Sequence, residues 1–274
     1  FANPDDLQNM ESIPLNHPIS VTVPGAVAGW IELSKKYSNL KIEEILDLGI
    51  ELCHEGFEIN EELYNSLTLH KEELSGQASG YGFYRDNQPF KTGKMIRRPQ
   101  LGKTLELLKR NGLEYFYDSD ITKSISSSVN GILSYDDLKN FKAEWKKPLH
   151  SKIYGFDGWT SPPSTQGYLT LSTLKAIEML GAEHDDLHRV IETYRIFAAD
   201  RDNITYDYGK NINNFKGVDL DYIQEKIKLF NPNHSEKFNF PKPRGGGTAY
   251  MNTVDKNGLG VSLIQSNFHG IGSR

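Results

Sequence analysis

A chain of 274 residues has room for one large domain or two small ones. It is 37% hydrophobic and about 46% apolar once its 24 glycines are added, with 24% charged residues, which excludes disordered, collagen-like and coiled-coil classes. Thirty-six acidic against 31 basic residues leave a net charge of −5, without the broad positive field of a nucleic-acid binder.

The chain opens Phe1-Ala2-Asn3-Pro4 with no cationic and apolar leader of the secretory type. Ile42, Ile45, Leu46, Gly49, Ile50 and Cys53 share one helical stripe, and Gly56 is placed to end it. Cys53 reads as a small core residue and not as a reactive thiol; being alone, it cannot close an internal disulfide. The compartment is therefore left open, with the cytoplasm as the default. Leu101, Leu105 and Leu108 form a second stripe closed by Asn111-Gly112, and Leu171, Leu174 and Ile177 a third. Leu187, Val190, Ile191, Tyr194, Phe197 and Ala198 form a fourth, with i, i+3, i+4, i+7 spacing. Turn signals separate them at Pro99, Pro162-Pro163-Ser164 and Asn231-Pro232-Asn233. No apolar run approaches the ~20 residues of a membrane span, which predicts a soluble protein without a membrane partner.

The last 40 residues change character. A basic extended stretch, Phe238 to Arg244, leads into Gly245-Gly246-Gly247, the most permissive backbone in the chain. Two β-type runs then flank Asp255-Lys256-Asn257-Gly258, a hairpin signal. A turn centred between Lys256 and Gly258 pairs residues whose numbers sum to roughly 513–515. Thr248 then faces Gln265, Ser266 or Asn267, which sets a hydroxyl within cross-strand reach of polar partners. The chain closes on Phe268 to Arg274, an apolar run and a Gly-rich turn with no strand to pair with, so both ends read as cuts in a longer protein.

Three motif-like stretches carry little. Gly102-Lys103-Thr104 resembles the end of a phosphate-binding loop, but Arg97 stands where that loop needs glycine, and the tripeptide falls inside a leucine-periodic helix. His184 and His188 have zinc-gripping spacing, but Asp185 replaces the glutamate of the zinc-protease motif, and the stretch reads as the polar start of a helix. Lys35-Lys36, Arg97-Arg98 and Lys146-Lys147 are isolated basic pairs without interleaved aromatics, so no nucleic-acid partner is expected.

Thr248 is different in kind. A threonine at a chain start carries nucleophile and base together: its hydroxyl attacks a carbonyl while its own amine takes the proton. Such a residue is made by cleavage. Gly247 offers no side-chain obstacle to the attack of Thr248 on the preceding carbonyl.

Gly246-Gly247-Thr248, then Val254-Asp255-Lys256-Asn257-Gly258 and Val261-Ser262-Leu263-Ile264-Gln265-Ser266-Asn267-Phe268, resemble the processing junction of the γ-glutamyltranspeptidase family. Upstream segments agree in order: Val21-Thr22-Val23-Pro24-Gly25-Ala26-Val27-Ala28-Gly29-Trp30; Arg98-Pro99-Gln100-Leu101; Leu133-Ser134-Tyr135-Asp136-Asp137-Leu138 with Pro148-Leu149; Ser161-Pro162-Pro163-Ser164; and Phe197-Ala198-Ala199-Asp200-Arg201.

The resemblance implies an N-terminal-nucleophile hydrolase of α+β class, an αββα sandwich in which this segment is mostly helical and ends in a β-hairpin. Residues 1–247 would be the later part of a large subunit and residues 248–274 the start of a small one, the two associating after cleavage between Gly247 and Thr248. Thr248 would be autoprocessing residue and catalytic nucleophile, and Ser266 the hydroxyl that contacts it. The implied partners are a small γ-glutamyl substrate such as glutathione, with water or an amino acid or peptide as acceptor. Neither metal nor organic cofactor is implied, and a homo-oligomer stays open.

Two departures bear on the pocket. Ala249 replaces a second threonine after the nucleophile, and Phe268 replaces an asparagine that helps hold the glutamyl group. Asn267 is one position away and would substitute only through a register shift, because a one-residue slip turns a side chain to the other face. The carboxylate-clamping arginine is expected before Phe1; the acids, the serine pair and the oxyanion glycines are expected beyond Arg274. Phe268 also keeps open an acylase of another amide, of the cephalosporin or glutaryl type, on the same fold. A non-catalytic, unprocessed relative is the remaining alternative.

Overall fold

The structure is a computed structural model and describes residues 10–14, 17–76, 80, 82–181, 186–238 and 248–267. The chain divides into two units by contact, Phe1–Ala143 with Arg244–Arg274, and Glu144–Pro243. This is a division of packing; the subunit boundary expected at Thr248 is one of covalent chain.

In the first unit, helix α1 (Ala26–Tyr37) buries Val27 and Ala28. No side chain caps its start at Gly25. Instead the buried Tyr117 hydroxyl accepts from the Ala28 amide (3.0 Å) and donates to the Pro24 carbonyl (2.6 Å), satisfying a donor that a helix start leaves without an internal partner. Tyr117→Phe is expected to lower stability by about 1–3 kcal/mol, read as a drop in the urea midpoint with unchanged slope, because it orphans both groups.

Helix α2 (Ile42–Glu55) runs to Gly56, whose φ of +104° and carbonyl neighbour, 2.7 Å from where a Cβ would sit, require glycine. Strand β1 (Phe57–Glu58) leads to helix α3 (Glu61–Leu69), capped by Asn60. Strands β2 (Tyr84–Arg85) and β3 (Gln88–Pro89) make a small hairpin, and β4 (Met95–Ile96) pairs antiparallel with β1. Helix α4 (Pro99–Asn111) starts with Pro99 in its first turn, so that proline opens a helix and does not merely mark a loop. Gly102 lies on the α2-facing side, where an added Cβ would stand 2.8 Å from His54 Nε2 and 3.2 Å from Cys53 Cβ. The glycine of the phosphate-loop look-alike therefore serves helix packing. Cys53 is buried, and burial raises its thiol pKa above the ordinary value, which suits a core residue.

Helices α5 (Asp120–Ser128) and α6 (Tyr135–Lys139) begin at Ser119 and Ser134, whose hydroxyls cap the first turn. Val23, Val27, Leu46, Leu108, Leu133 and Leu138 belong to the core that these elements enclose. Ile45 and Leu101 sit at the margins of their stripes and stay exposed.

In the second unit, strands β5 (Leu149–Ile153) and β6 (Phe156–Thr160) form a hairpin, followed by helices α7 (Tyr168–Leu180), α8 (Leu187–Ala199) and α9 (Leu220–Ile227). Tyr168, Ala176, Phe197, Phe215 and Ile223 fill the core between them. Leu171 and Ile177 are buried as expected, whereas Leu174 is exposed.

Helix α8 departs from expectation. Leu187, Ile191 and Tyr194 are 67%, 54% and 49% exposed, and the buried residues are Glu192, Thr193, Ile196 and Phe197. The reason is a paired charge: the Glu192 carboxylate takes hydrogen bonds from Arg195 and the Glu236 amide, so a polar residue occupies the inward face. Burial pushes this carboxyl up, but hydrogen bonds from Arg195, Ser235 and the Glu236 amide outweigh it and leave the pKa below the ordinary 4.5. A depressed folded pKa means stability that is complete above the unfolded value and lost as pH falls through the folded one. Glu192→Gln should accordingly flatten the acid limb of the stability curve below about pH 5, measured by thermal unfolding across pH.

The last elements belong to the first unit. Strands β7 (Ala249–Val254) and β8 (Gly260–Gln265) pair antiparallel from Ala249↔Gln265 to Val254↔Gly260. Asp255 Oδ1 accepts from the Asn257 and Leu259 amides, and Gly258 takes φ +86°, which closes the loop. No helix among the described residues is long and apolar enough to cross a membrane.

Candidate active site

The hairpin register puts Thr248 one step beyond the last ladder pair, across from Ser266, within the range that turn chemistry predicts. Thr248 Oγ1 donates to Ser266 Oγ at 3.1 Å, and both residues are exposed. Alternation along the strands sets Tyr250, Asn252, Ser262 and Ile264 on the same face of the hairpin. There the Tyr250 hydroxyl accepts from Ser262 Oγ (3.2 Å) and Asn252 Nδ2 (3.5 Å), and these bonds lower its pKa from the usual 10.

Gln265 belongs to the opposite face. Its Oε1 accepts from the Trp30 indole N–H of α1 at 3.2 Å. Gly25, Ala26, Gly29 and Trp30 of the α1 start line a cavity of about 280 Å3 together with Leu263, Ile264, Gln265 and Ser266. Sequence reasoning assigned no role to Trp30, although it closes the Val21 to Trp30 segment; its partner is 235 positions away, and no local pattern signals that pairing.

Of the residues singled out in the sequence, Thr248 and Ser266 are brought together. Asn267 follows Ser266, exposed, and alternation carried one residue further sets it on the other face. Gly247 and Phe268 lie outside the described residues. So does His184, while His188 Nε2 donates to the Asn231 carbonyl at 3.0 Å. The basic pairs serve packing and surface contacts: Lys35 pairs with Glu114, Arg97 donates to the Glu55 carbonyl, Arg98 covers the Phe83 ring and Lys146 pairs with Glu144. Asp200, in the Phe197 to Arg201 segment, accepts from Asn203 (2.9 Å), Tyr222 (2.9 Å) and Lys226 (2.9 Å), so it ties the end of α8 to α9.

The chain is 27% identical to the capsule biosynthesis protein CapD proenzyme of Bacillus anthracis, over 94% of its own length and 49% of that protein. To the glutathione hydrolase-like YwrD proenzyme of Bacillus subtilis it is 26% identical, over 98% and 53% respectively. It thus spans about half the length of these relatives. The crystal structure of cephalosporin acylase from Bacillus halodurans superposes with a TM-score of 0.84 at 25% identity, covering 98% of this chain and 52% of that one. This is the N-terminal-nucleophile hydrolase fold, of which these helices and the terminal hairpin are a part. The family model for gamma-glutamyltranspeptidase matches residues 1–274, from end to end, and the chain belongs to that family.

Proposed function

We propose that the protein is a γ-glutamyl amide hydrolase and transferase whose nucleophile, Thr248, is generated by scission of the Gly247–Thr248 bond. The observation that carries this reading is the 3.1 Å hydrogen bond between the Thr248 and Ser266 hydroxyls at the open end of the hairpin. In the precursor, Thr248 Oγ attacks the Gly247 carbonyl and displaces the Thr248 amine; water then hydrolyses the resulting ester, releasing the Thr248 hydroxyl and the Gly247 carboxylate. Residues 1–247 then belong to a large subunit and residues 248–274 to a small one, held together after the cut.

In the mature enzyme the hydroxyl attacks the γ-carbonyl of glutathione or a related compound. The Thr248 amine accepts the hydroxyl proton and passes it to the departing amine. Water, or the amine of an amino acid or peptide, then resolves the γ-glutamyl ester. Ser266 orients the attacking oxygen. The scheme requires neither metal nor organic cofactor.

A second reading, an acylase of another amide, has support from the likeness to cephalosporin acylase and from Ala249 and Phe268 at positions where the family carries polar residues. Turnover of γ-glutamyl-p-nitroanilide against a glutaryl amide by the full-length processed protein separates the two. Faster γ-glutamyl turnover is expected; acylase turnover alone would replace the first reading with the second.

A further inference from the structure

Building on the reading of Thr248 as nucleophile, we propose that Trp30 is a positioning residue for that reaction: its indole N–H, donated to Gln265, holds the open end of the hairpin so that Ser266 stays against Thr248.

The ladder of β7 and β8 ends at Ala249↔Gln265, and the Thr248–Ser266 pair lies one step beyond it. The hydrogen bonds of this ladder do not reach the pair, so a contact outside the ladder helps set its last step. Gln265 and Ser266 are consecutive, and alternation turns them to opposite faces. Fixing the Gln265 side chain on the α1 side therefore fixes the Ser266 hydroxyl on the Thr248 side.

Close packing does not supply this constraint. A cavity of about 280 Å3 separates the α1 start from Leu263–Ser266, and an added Cβ at Gly29 would meet nothing within 4 Å. The hydrogen bond of 3.2 Å spans this loosely filled gap. Its α1 end is well anchored, because Tyr117 clamps Pro24 and Ala28 while Val27 and Ala28 are buried. A chain of contacts thus runs from the core through Tyr117, α1 and Trp30 to Gln265, and from there to the hydroxyl pair.

Trp30→Phe removes the donor and keeps the ring; Gln265→Leu removes the acceptor on an exposed strand; Gln265→Glu keeps an acceptor oxygen. In the full-length protein, Trp30→Phe and Gln265→Leu are each expected to slow Gly247–Thr248 cleavage and to lower kcat about tenfold, as a small misplacement of a reacting group does. KM should stay within about twofold of the parent, since the substrate contacts are untouched. The double variant should be no slower than either single one, because both remove the same bond, and Gln265→Glu should restore the rate. A readout free of catalysis is the Trp30 indole N–H in uncut Thr248→Ala precursor, expected to exchange slowly and to lose that protection in Gln265→Leu.

Parental rates in Trp30→Phe, additive losses in the double variant, or indole exchange as fast as in a free side chain would each overturn the proposal while leaving Thr248 as nucleophile. A parent protein that is active with the Gly247–Thr248 bond intact would overturn the reading of Thr248, and this proposal with it.

Discussion

Thr248→Ala is expected to yield one uncut polypeptide on a denaturing gel, where the parent yields two, and to lower turnover by on the order of 10^4-fold or more. The size of the effect follows from the double use of one residue. Without the hydroxyl nothing attacks the Gly247 carbonyl, so the amine that would act as base is never released. Loss of the oxygen therefore removes nucleophile and base in one step. Thr248→Ser restores the hydroxyl and should restore cleavage, which separates chemistry from folding. In the mature parent, kcat/KM should rise with pH through about 7.7–8, the range of a free α-amine, since only the neutral amine accepts a proton. A Thr248→Ala protein that still splits and turns over would end this account of the site.

Ser266→Ala is expected to slow both cleavage and turnover by about 10- to 100-fold without abolishing either. Thr248 Oγ1 donates to Ser266 Oγ at 3.1 Å, so the serine fixes the threonine rotamer and with it the line of attack. Alanine leaves the nucleophile in place but frees its side chain to rotate, and Ser266→Thr should recover most of the loss by returning an oxygen to the same position. Single-turnover measurement of precursor cleavage checks this, because it needs no added substrate. Cleavage at the parental rate in Ser266→Ala would show that the observed hydrogen bond does not orient the attack.

Some of this architecture was legible before any coordinates. The hairpin is specified by its turn: Asp255, Asn257 and Gly258 form a loop through contacts a few residues apart, so counting brought the register to within one residue of the observed pairing. Helix limits were legible for the same reason at Gly56 and Gly112, where a positive φ acts locally. Pro99 misled because one residue type both interrupts and initiates helices, and only the structure around Arg98 and Leu101 distinguishes the two.

The inward face of α8 was legible at Phe197, which the core buries, but not at Glu192 and Thr193. Periodicity marks an apolar stripe but does not say which stripe a neighbouring segment will cover. Glu192 turns inward because Arg195 and the Glu236 amide neutralise its cost, and Leu187, Ile191 and Tyr194 stay outside. The glycine of Gly102-Lys103-Thr104 became interpretable only when His54 and Cys53 were seen against it.

By itself the order of amino acids determined the hairpin and narrowed the partner of Thr248 to Gln265, Ser266 or Asn267, because these depend on turn geometry and on side chains that alternate with a period of two. Tertiary structure alone decided that Glu192 turns inward on α8, that Tyr117 caps α1, and that Trp30 reaches Gln265. Those contacts join residues up to 235 positions apart, where no local periodicity or turn propensity connects one partner to the other and only chain folding brings them within hydrogen-bonding distance.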